Sequence, residues 1–213
     1  MSKSKTSNSL GPGKIVIISS PSGGGKSSIC RELLRKHAAD KWKFSISFTT
    51  RPIREGEKDG REYHFTDATN FKKLRKAGKF AESCRVHKFR YATPRAPLED
   101  TVRRGGVILL DVDVKGASKL RKEYPHAALI FILPPSRKEL ERRLRTRGTD
   151  SAAQLRLRLA VSLREMRYYT RFDYTVINDN LDKAVHEVEC IIETLHTRRG
   201  NLDRRRIDSM IGI

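Results

Sequence analysis

Cysteine, histidine, acidic residues and long apolar runs are all scarce in this chain, and each shortage removes a class of function. The three cysteines, Cys30, Cys84 and Cys190, lie far apart and show no metal-type spacing. Cys30 and Cys190 fall in helical patterns as reduced packing residues, which predicts a cytoplasmic protein. The six histidines show no ligand spacing either, so no protein-bound zinc is expected. No apolar run approaches the length of a membrane span. Met1–Ser9 is polar and lacks the apolar centre of a secretion signal. Helix-turn-helix, RNA-recognition and zinc-finger patterns are missing as well.

Against 45 Lys+Arg stand only 25 Asp+Glu, a formal balance of +20. A strongly basic surface can be a nucleic-acid footprint. It can also reflect arginines gathered around phosphates, with the remainder a solvated face. Without a nucleic-acid motif the second reading is preferred, and weak non-specific polyanion binding follows as a side effect.

What is present starts at Ile15. An apolar β-branched run to Ser19 reads as a buried strand, and it leads into Ser20-Pro-Ser-Gly-Gly-Gly-Lys-Ser27. Ile29, Leu33 and Leu34 then recur at helical spacing, so a helix begins near Gly25. Strand, glycine loop, Lys-Ser and helix form a phosphate-binding loop. Glycines let backbone N–H groups turn toward phosphate oxygens, and the helix N-terminus adds partial positive charge. In such a loop Lys26 bridges the β- and γ-phosphates of a nucleoside triphosphate, and the Ser27 hydroxyl ligates Mg²⁺. Ser20 stands where the full pattern has glycine. The bland alternative is a glycine-rich turn with an incidental Lys-Ser.

With 213 residues there is room for one α/β domain with insertions. Lys43–Thr50 alternates Phe44, Ile46 and Phe48 with small polar residues, the pattern of one half-buried strand. Arg51 and Arg54 follow on a charged loop, where two planar guanidinium groups either converge on one phosphate or are simply solvated. Arg61–Phe65 reads as a short strand and Thr66–Gly78 as a helix stopped by Gly78. Glu82 is the one acid between Phe71 and Arg90. Phe89–Pro94 reads as a loop or edge strand, and Arg95–Arg104 as an amphipathic helix. Val107–Val112 is a second buried strand. Asp111 at its end sits where a phosphate-loop protein holds Mg²⁺, and Asp113 either joins it or caps the next helix. Ala128–Leu133 is a third buried strand, and Ser136–Glu139 a capping box. The helical hairpin from Arg137 to Arg171 holds eleven basic residues against four acids, the composition of a lid over a triphosphate. Tyr174–Ile177 is a fourth strand, and Leu181–Arg199 the last helix. Strands alternating with helices give an α/β fold, a mostly parallel sheet with helices on both faces.

Several segments together resemble the guanylate kinase family in order and spacing. They are the phosphate loop, Thr49-Thr-Arg-Pro52 with Gly56-Glu57, Gly60-Arg-Glu-Tyr63, Leu110-Asp-Val-Asp-Val-Lys-Gly116, Phe131–Ser136, Arg143–Gly148 and Asn178-Asp179. The resemblance implies a P-loop nucleoside monophosphate kinase-like fold with inserted acceptor-binding and lid subdomains. Its core would be 14–46, 98–135 and 172–199, its GMP-binding part 47–97 and its lid 136–171, between basic tails at 1–13 and 200–213. It implies transfer of the ATP γ-phosphoryl group to GMP or dGMP in purine nucleotide metabolism, with Mg²⁺. Ser20, Pro21, Ser22, Gly23, Gly24, Gly25, Lys26, Ser27, Ser28 and Asn178 would bind ATP. Arg51, Arg54, Tyr63 and Tyr91 would hold the GMP phosphate. Glu82 and Thr93 would read guanine, with Ser47, Asp111 and Asp113 alongside. Lys26, Arg51, Arg143, Arg147 and Arg158 would be catalytic, and Ser27 and Asp111 would serve the metal, partly through water. Family members usually carry Gly-Asn-Tyr-Tyr-Gly-Ser/Thr where this chain has Lys88-Phe-Arg-Tyr-Ala-Thr93, which keeps the second tyrosine and the hydroxyl but not the glycines.

Two other enzyme-fold readings compete. A kinase for a phosphorylated sugar would share the loop, but Glu82, Asp111 and Asp113 argue against it. A non-catalytic interaction module would lack Lys26 and the lid arginines, which are present. No membrane partner is expected, and the sequence is compatible with a monomer or a homo-oligomer.

Overall fold

A computed structural model describes residues 13–86, 88–146, 151–195 and 210. Nearly all of the two tails expected at 1–13 and 200–213 lie outside them.

The β-branched run after Gly13 forms β1 (Lys14–Ser19), whose last four residues are buried. Around it a five-stranded sheet assembles from β2 (Trp42–Phe44), β7 (Val107–Asp111), β8 (Ala128–Leu133) and β9 (Tyr174–Ile177). The order is β2-β7-β1-β8-β9, and every pair is parallel. Alternate side chains of β1 leave on opposite faces, as strand geometry requires. Val16 and Ile18 pack with Ile29 and Leu33 of α1 (Lys26–Lys36) and Val188 and Ile192 of α7 (Leu181–Thr194). Ile17 packs on the other face with Leu98 of α3 (Arg95–Arg103) and Leu120 of α4 (Val114–Glu123). Strands this apolar need cover on both sides, and the helices supply it.

A second sheet departs from the sequence reading. Lys43–Thr50 is not one strand. The chain leaves the first sheet at Phe44 and re-enters structure as β3 (Phe48–Thr49) in another. That sheet has the order β4-β3-β6-β5, with β4 (His64–Phe65), β5 (Phe80–Val86) and β6 (Phe89–Pro94). An alternating pattern fixes which side chains share a face, not whether their backbones share a partner. For the same reason Phe89–Pro94 is an interior strand rather than an edge, paired with β3 and β5. Its hydrophobic layer is Phe71 of α2 (Ala68–Lys76) with Phe80 and Ala92. Gly78, at φ 66°, ends α2 in the left-handed region as expected.

The basic hairpin is α5 (Arg137–Thr146) and α6 (Ala152–Met166), followed by a 3₁₀ turn at Arg167–Arg171. Ser151 and Gln154 close a full capping box on α6. On α5 only half the box forms. Ser136 Oγ accepts the Glu139 N–H at 3.1 Å, but the Glu139 carboxylate turns to Arg142 and Arg143. Two guanidinium groups outbid one backbone N–H.

At the end of α1, His37 stacks on Trp42, ring centroids 3.9 Å apart. Its two ring nitrogens lie 2.6 Å from Asp40 and 2.6 Å from Glu189 on α7. Burial opposes the imidazolium, yet the two carboxylates together outweigh it and raise its pKa. A raised folded pKa means the stabilisation is fully present below pH ~6.5 and is lost as pH rises through the folded value. Chemical denaturation from pH 5.5 to 9 is expected to show this loss. His37→Gln should flatten it, by roughly 1 kcal/mol after allowing for the solvent around Asp40.

Candidate active site

The C-terminal edge of the parallel sheet brings the sequence candidates together. In open α/β sheets this edge is where ligands bind. β1 delivers Ser20–Gly25, β7 delivers Asp111, and the residue after β9 is Asn178. Gly23 and Gly25 take φ of 87° and 95°, which a side chain would resist. A Cβ at Gly25 would also overlap the Asn178 Nδ2 amide, and one at Gly23 would press on Leu140 and Leu144 of α5. The glycines thus serve close approach as well as turning. Ser20, in place of a glycine, bonds the Pro21 carbonyl through Oγ at 3.0 Å. Ser28 begins the helical ladder, its N–H reaching Gly25 O at 3.1 Å.

Lys26 is ion-paired with Asp111 Oδ1, and its Nζ also donates to Val112 O at 3.3 Å. Burial would lower the Lys26 pKa, but the charge and hydrogen bond of Asp111 raise it overall. Ser27 Oγ donates to Asp111 Oδ2 at 3.3 Å. A hydroxyl and a carboxylate oxygen therefore converge at the helix N-terminus, a hard-oxygen pair of the kind Mg²⁺ takes beside phosphate ligands.

Beside them is a cavity of about 220 Å³ lined by Lys26, Ser47, Tyr63, Glu82, Cys84, Tyr91, Asp111 and Asp113. Glu82 and Thr93 face each other across β5 and β6, and Thr93 Oγ1 donates to Glu82 Oε1 at 3.0 Å. Glu82 is 7% exposed, and its Oε2 is buried with no hydrogen-bond partner. Burial above all, with the Asp113 charge adding, pushes its pKa up to about 7 against the opposing Thr93 bond and Lys119 charge. Of the two sequence readings of Asp113, the structure shows the helix cap. Asp113 caps α4, accepting the Gly116 N–H at 2.7 Å, and it lines the cavity.

Arg51 is buried beside Tyr63, which lines the cavity. Its guanidinium donates to Glu57 at 2.7 Å and to Pro52 O at 2.9 Å, and lies 5.4 Å from the centroid of the Tyr63 ring. Glu57 above all, with Tyr91 adding, raises the Arg51 pKa against burial, and the Tyr63 and Tyr91 rings meet edge-on at 5.7 Å. Arg54 joins only through its backbone N–H, which donates to Glu57 Oε2 at 2.9 Å, while its side chain is exposed.

The basic hairpin touches the loop directly. Arg143 Nε donates to Glu139 and its Nη2 to Asn178 O at 2.8 Å, but Nη1 is buried without a partner. Arg158 Nη2 reaches Ser22 Oγ at 3.3 Å, and Ser162, fully buried, donates to Ser22 O at 3.2 Å. Arg147 lies outside the described residues. Asn178 Nδ2 donates to Gly24 O at 3.0 Å, so it braces the loop.

Sequence reasoning assigned no role to Glu57, Cys84 or Ser162. Glu57 holds Arg51. Ser162 was legible as a small polar residue on the inward side of α6. Cys84 lines the cavity, with its thiol 3.7 Å from Asp113 Oδ1 and its pKa pushed up to about 12 by burial and that carboxylate. Among the described residues no helix is long and apolar enough to cross a membrane.

Comparison with known proteins adds independent findings. A family model described as guanylate kinase matches residues 12–195. A guanylate kinase of Vibrio vulnificus (strain YJ016) is 44% identical over 183 residues, covering 86% of this chain and 88% of its own. One from Aromatoleum aromaticum is 41% identical over 196 residues, covering 92% of this chain and 95% of its own. The crystal structure of guanylate kinase from Anaplasma phagocytophilum superposes with a TM-score of 0.78 at 29% identity, covering 95% of this chain and 97% of that one.

Proposed function

The chain belongs to the guanylate kinase family and phosphorylates GMP at the expense of ATP, and from that premise we propose how its residues share the reaction. The observation that carries the acceptor assignment is the orphaned Glu82 Oε2. A buried carboxylate with one oxygen unpaired suits a planar base that offers adjacent donors, as guanine does through N1–H and its 2-amino group. Thr93 holds the other oxygen and supports the 6-oxo end. Adenine presents no such donor pair, and dGMP presents the same one as GMP.

Arg51, Tyr63 and Tyr91 receive the acceptor phosphate, with Arg54 joining from the exposed side of the loop. Ser47, Asp111 and Asp113 border the nucleotide. The triphosphate lies along Ser20–Ser28, with Lys26 leaving Asp111 for the phosphates. The unpaired Arg143 Nη1, Arg158 and Arg147 neutralise the chain of phosphates from the lid at 136–171, and Asn178 borders the adenine end while bracing Gly24. The sheet of 47–97 is the acceptor-binding part, and 14–46, 98–135 and 172–199 the core.

Ser27 and Asp111 suit Mg²⁺, which when bound offsets negative charge on the phosphates. Among the described residues no group of three His, Cys, Asp or Glu side chains could hold a metal by itself, so a metal held by Ser27 and Asp111 would need further oxygens from the nucleotide or water. An oxygen of the GMP phosphate attacks the γ-phosphorus in line, and the bond to the β–γ bridging oxygen breaks to release ADP. No side chain acts as nucleophile. Opposing two polyanions is the main barrier, and arginines held by Glu57 and Glu139 meet it without reorganising. We place the reaction in the cytoplasm, as the reduced cysteines suggest.

ADP release with Mg²⁺-ATP should be measured against GMP, dGMP, AMP, UMP and ribose bisphosphate. Turnover confined to the guanine nucleotides is the expected result. Turnover with ribose bisphosphate, or with AMP at a comparable rate, would sink the assignment of Glu82 as the base reader.

A further inference from the structure

Surface cations in this protein fall into two groups. Many are ion-paired, as Arg35 is with Glu32, Arg103 with Asp100, Arg145 with Glu141 and Arg95 with Glu123. The outer face of the four-stranded sheet is different. From Phe71 to Arg90 there are eight Lys and Arg and one acid, Glu82, which is buried toward the cavity.

The cause is the way α2 packs. It buries Phe71 and half-buries Leu74 against the sheet, so Lys72, Lys73, Arg75 and Lys76 are left exposed, with Lys79 just beyond Gly78. Arg90 is exposed on β6 and alternates with Tyr91, which lines the cavity, so it shares a face with Ala92 and thus with α2. Among the described residues none of these six side chains makes an ion pair. Like charges at i and i+4, such as Lys72 and Lys76, repel along a helix. A bound polyanion removes that repulsion.

The face has no other chemistry. The exposed large apolar residues (Ile53, Leu157, Tyr169, Ile177, Leu181, Met210) all lie elsewhere in the chain. Nothing on it can enter the acyl layer of a membrane, and no aromatic ring is available to stack an unpaired base. We propose that this face binds the phosphate backbone of double-stranded RNA without reading its sequence. The deep, narrow major groove of an A-form duplex brings phosphates of both strands close enough for one short helix to span. The B-form groove, about 12 Å wide, holds them further apart. Lysines, as point charges, fit such backbone contacts.

The test is fluorescence anisotropy of a labelled RNA duplex of about 20 base pairs with the full-length protein, over roughly 50–200 mM salt. Six contacts predict a log–log salt slope of about −5, at ~0.9 per phosphate. The triple variant Lys72→Glu, Lys73→Glu, Lys76→Glu is expected to reduce the slope by about 3 and weaken binding at low salt ~100-fold or more. GMP phosphorylation by the same variant should be unchanged, which also shows that it folds. Duplex binding unaffected by the triple change would overturn the proposal and move the interaction to other basic segments. So would equal affinity for a DNA duplex of the same length, or tighter binding to phosphatidylserine vesicles than to RNA.

Discussion

Replacing Lys26 with alanine is expected to cut kcat by roughly 10³ or more, about 4 kcal/mol of transition-state stabilisation, while the protein stays folded. Two effects add. The ammonium that should bridge phosphates is lost, and Asp111 is left without its partner where the triphosphate must lie. An uncompensated carboxylate there repels ATP, so KM for ATP should rise as well. Folding should survive, because α1 is held by Ile29 and Leu33 in the core rather than by Lys26, and Asp111 keeps the Ser27 hydroxyl at 3.3 Å. Lys26→Arg should not rescue, since a planar fork cannot replace a compact point charge among backbone N–H groups. ADP release and thermal denaturation read both claims, and a rate within tenfold of the parent would remove Lys26 from the mechanism.

The second large effect concerns Glu82. Glu82→Gln should lower kcat/KM for GMP by roughly 10²–10³ and leave the poor AMP rate nearly unchanged, since the amide offers guanine one acceptor and one opposing donor. Its pKa near 7 adds a pH signature. Below about 7 the free protein carries a protonated carboxyl there, so KM for GMP should rise as pH falls through that value. The stability effect has the opposite direction. Between the ordinary carboxylate pKa and about 7 the folded state holds a proton that the unfolded chain releases, so stability falls as pH rises through this window. Glu82→Gln removes that loss and should stabilise the protein at pH 8 by about 3 kcal/mol at most. A variant both more stable and less selective is the joint outcome. Unchanged discrimination between GMP and AMP would contradict it.

Much of this is legible in the sequence alone. Strands β1, β7 and β8 announce themselves because residues buried on both faces must all be apolar, and each run ends near a glycine, aspartate or proline. The phosphate loop was legible because its chemistry is local: backbone, Lys26 and Ser27 come from one short stretch. Partnership between strands was not. Lys43–Thr50 carries one alternating pattern across two sheets, since pleating records faces and not neighbours. Glu57 could not be assigned from its position, because an acid on a charged loop looks solvated until Arg51 is seen folded over Tyr63. The family resemblance alone places Asn178 at the site, and its hold on Gly24 depends on β9 lying beside β8, a long-range fact. Asp113 is open to two roles in the sequence, and the structure shows the helix cap, with the side chain also lining the cavity.

Trp42, the chain's one tryptophan, lies flat on His37 at the far end of α1 from the nucleotide loop. A protonated imidazole quenches indole emission by accepting an excited-state electron, so the natural fluorescence of this protein is a gauge of that ring's charge. Light emitted from Trp42 follows the α1–α7 junction and the pH around it, and is a poor witness to nucleotides arriving at Lys26. An optical probe of phosphoryl transfer therefore has to be built in, for example by a tryptophan placed at exposed Tyr169 beyond α6, with Trp42 replaced by phenylalanine to darken the background.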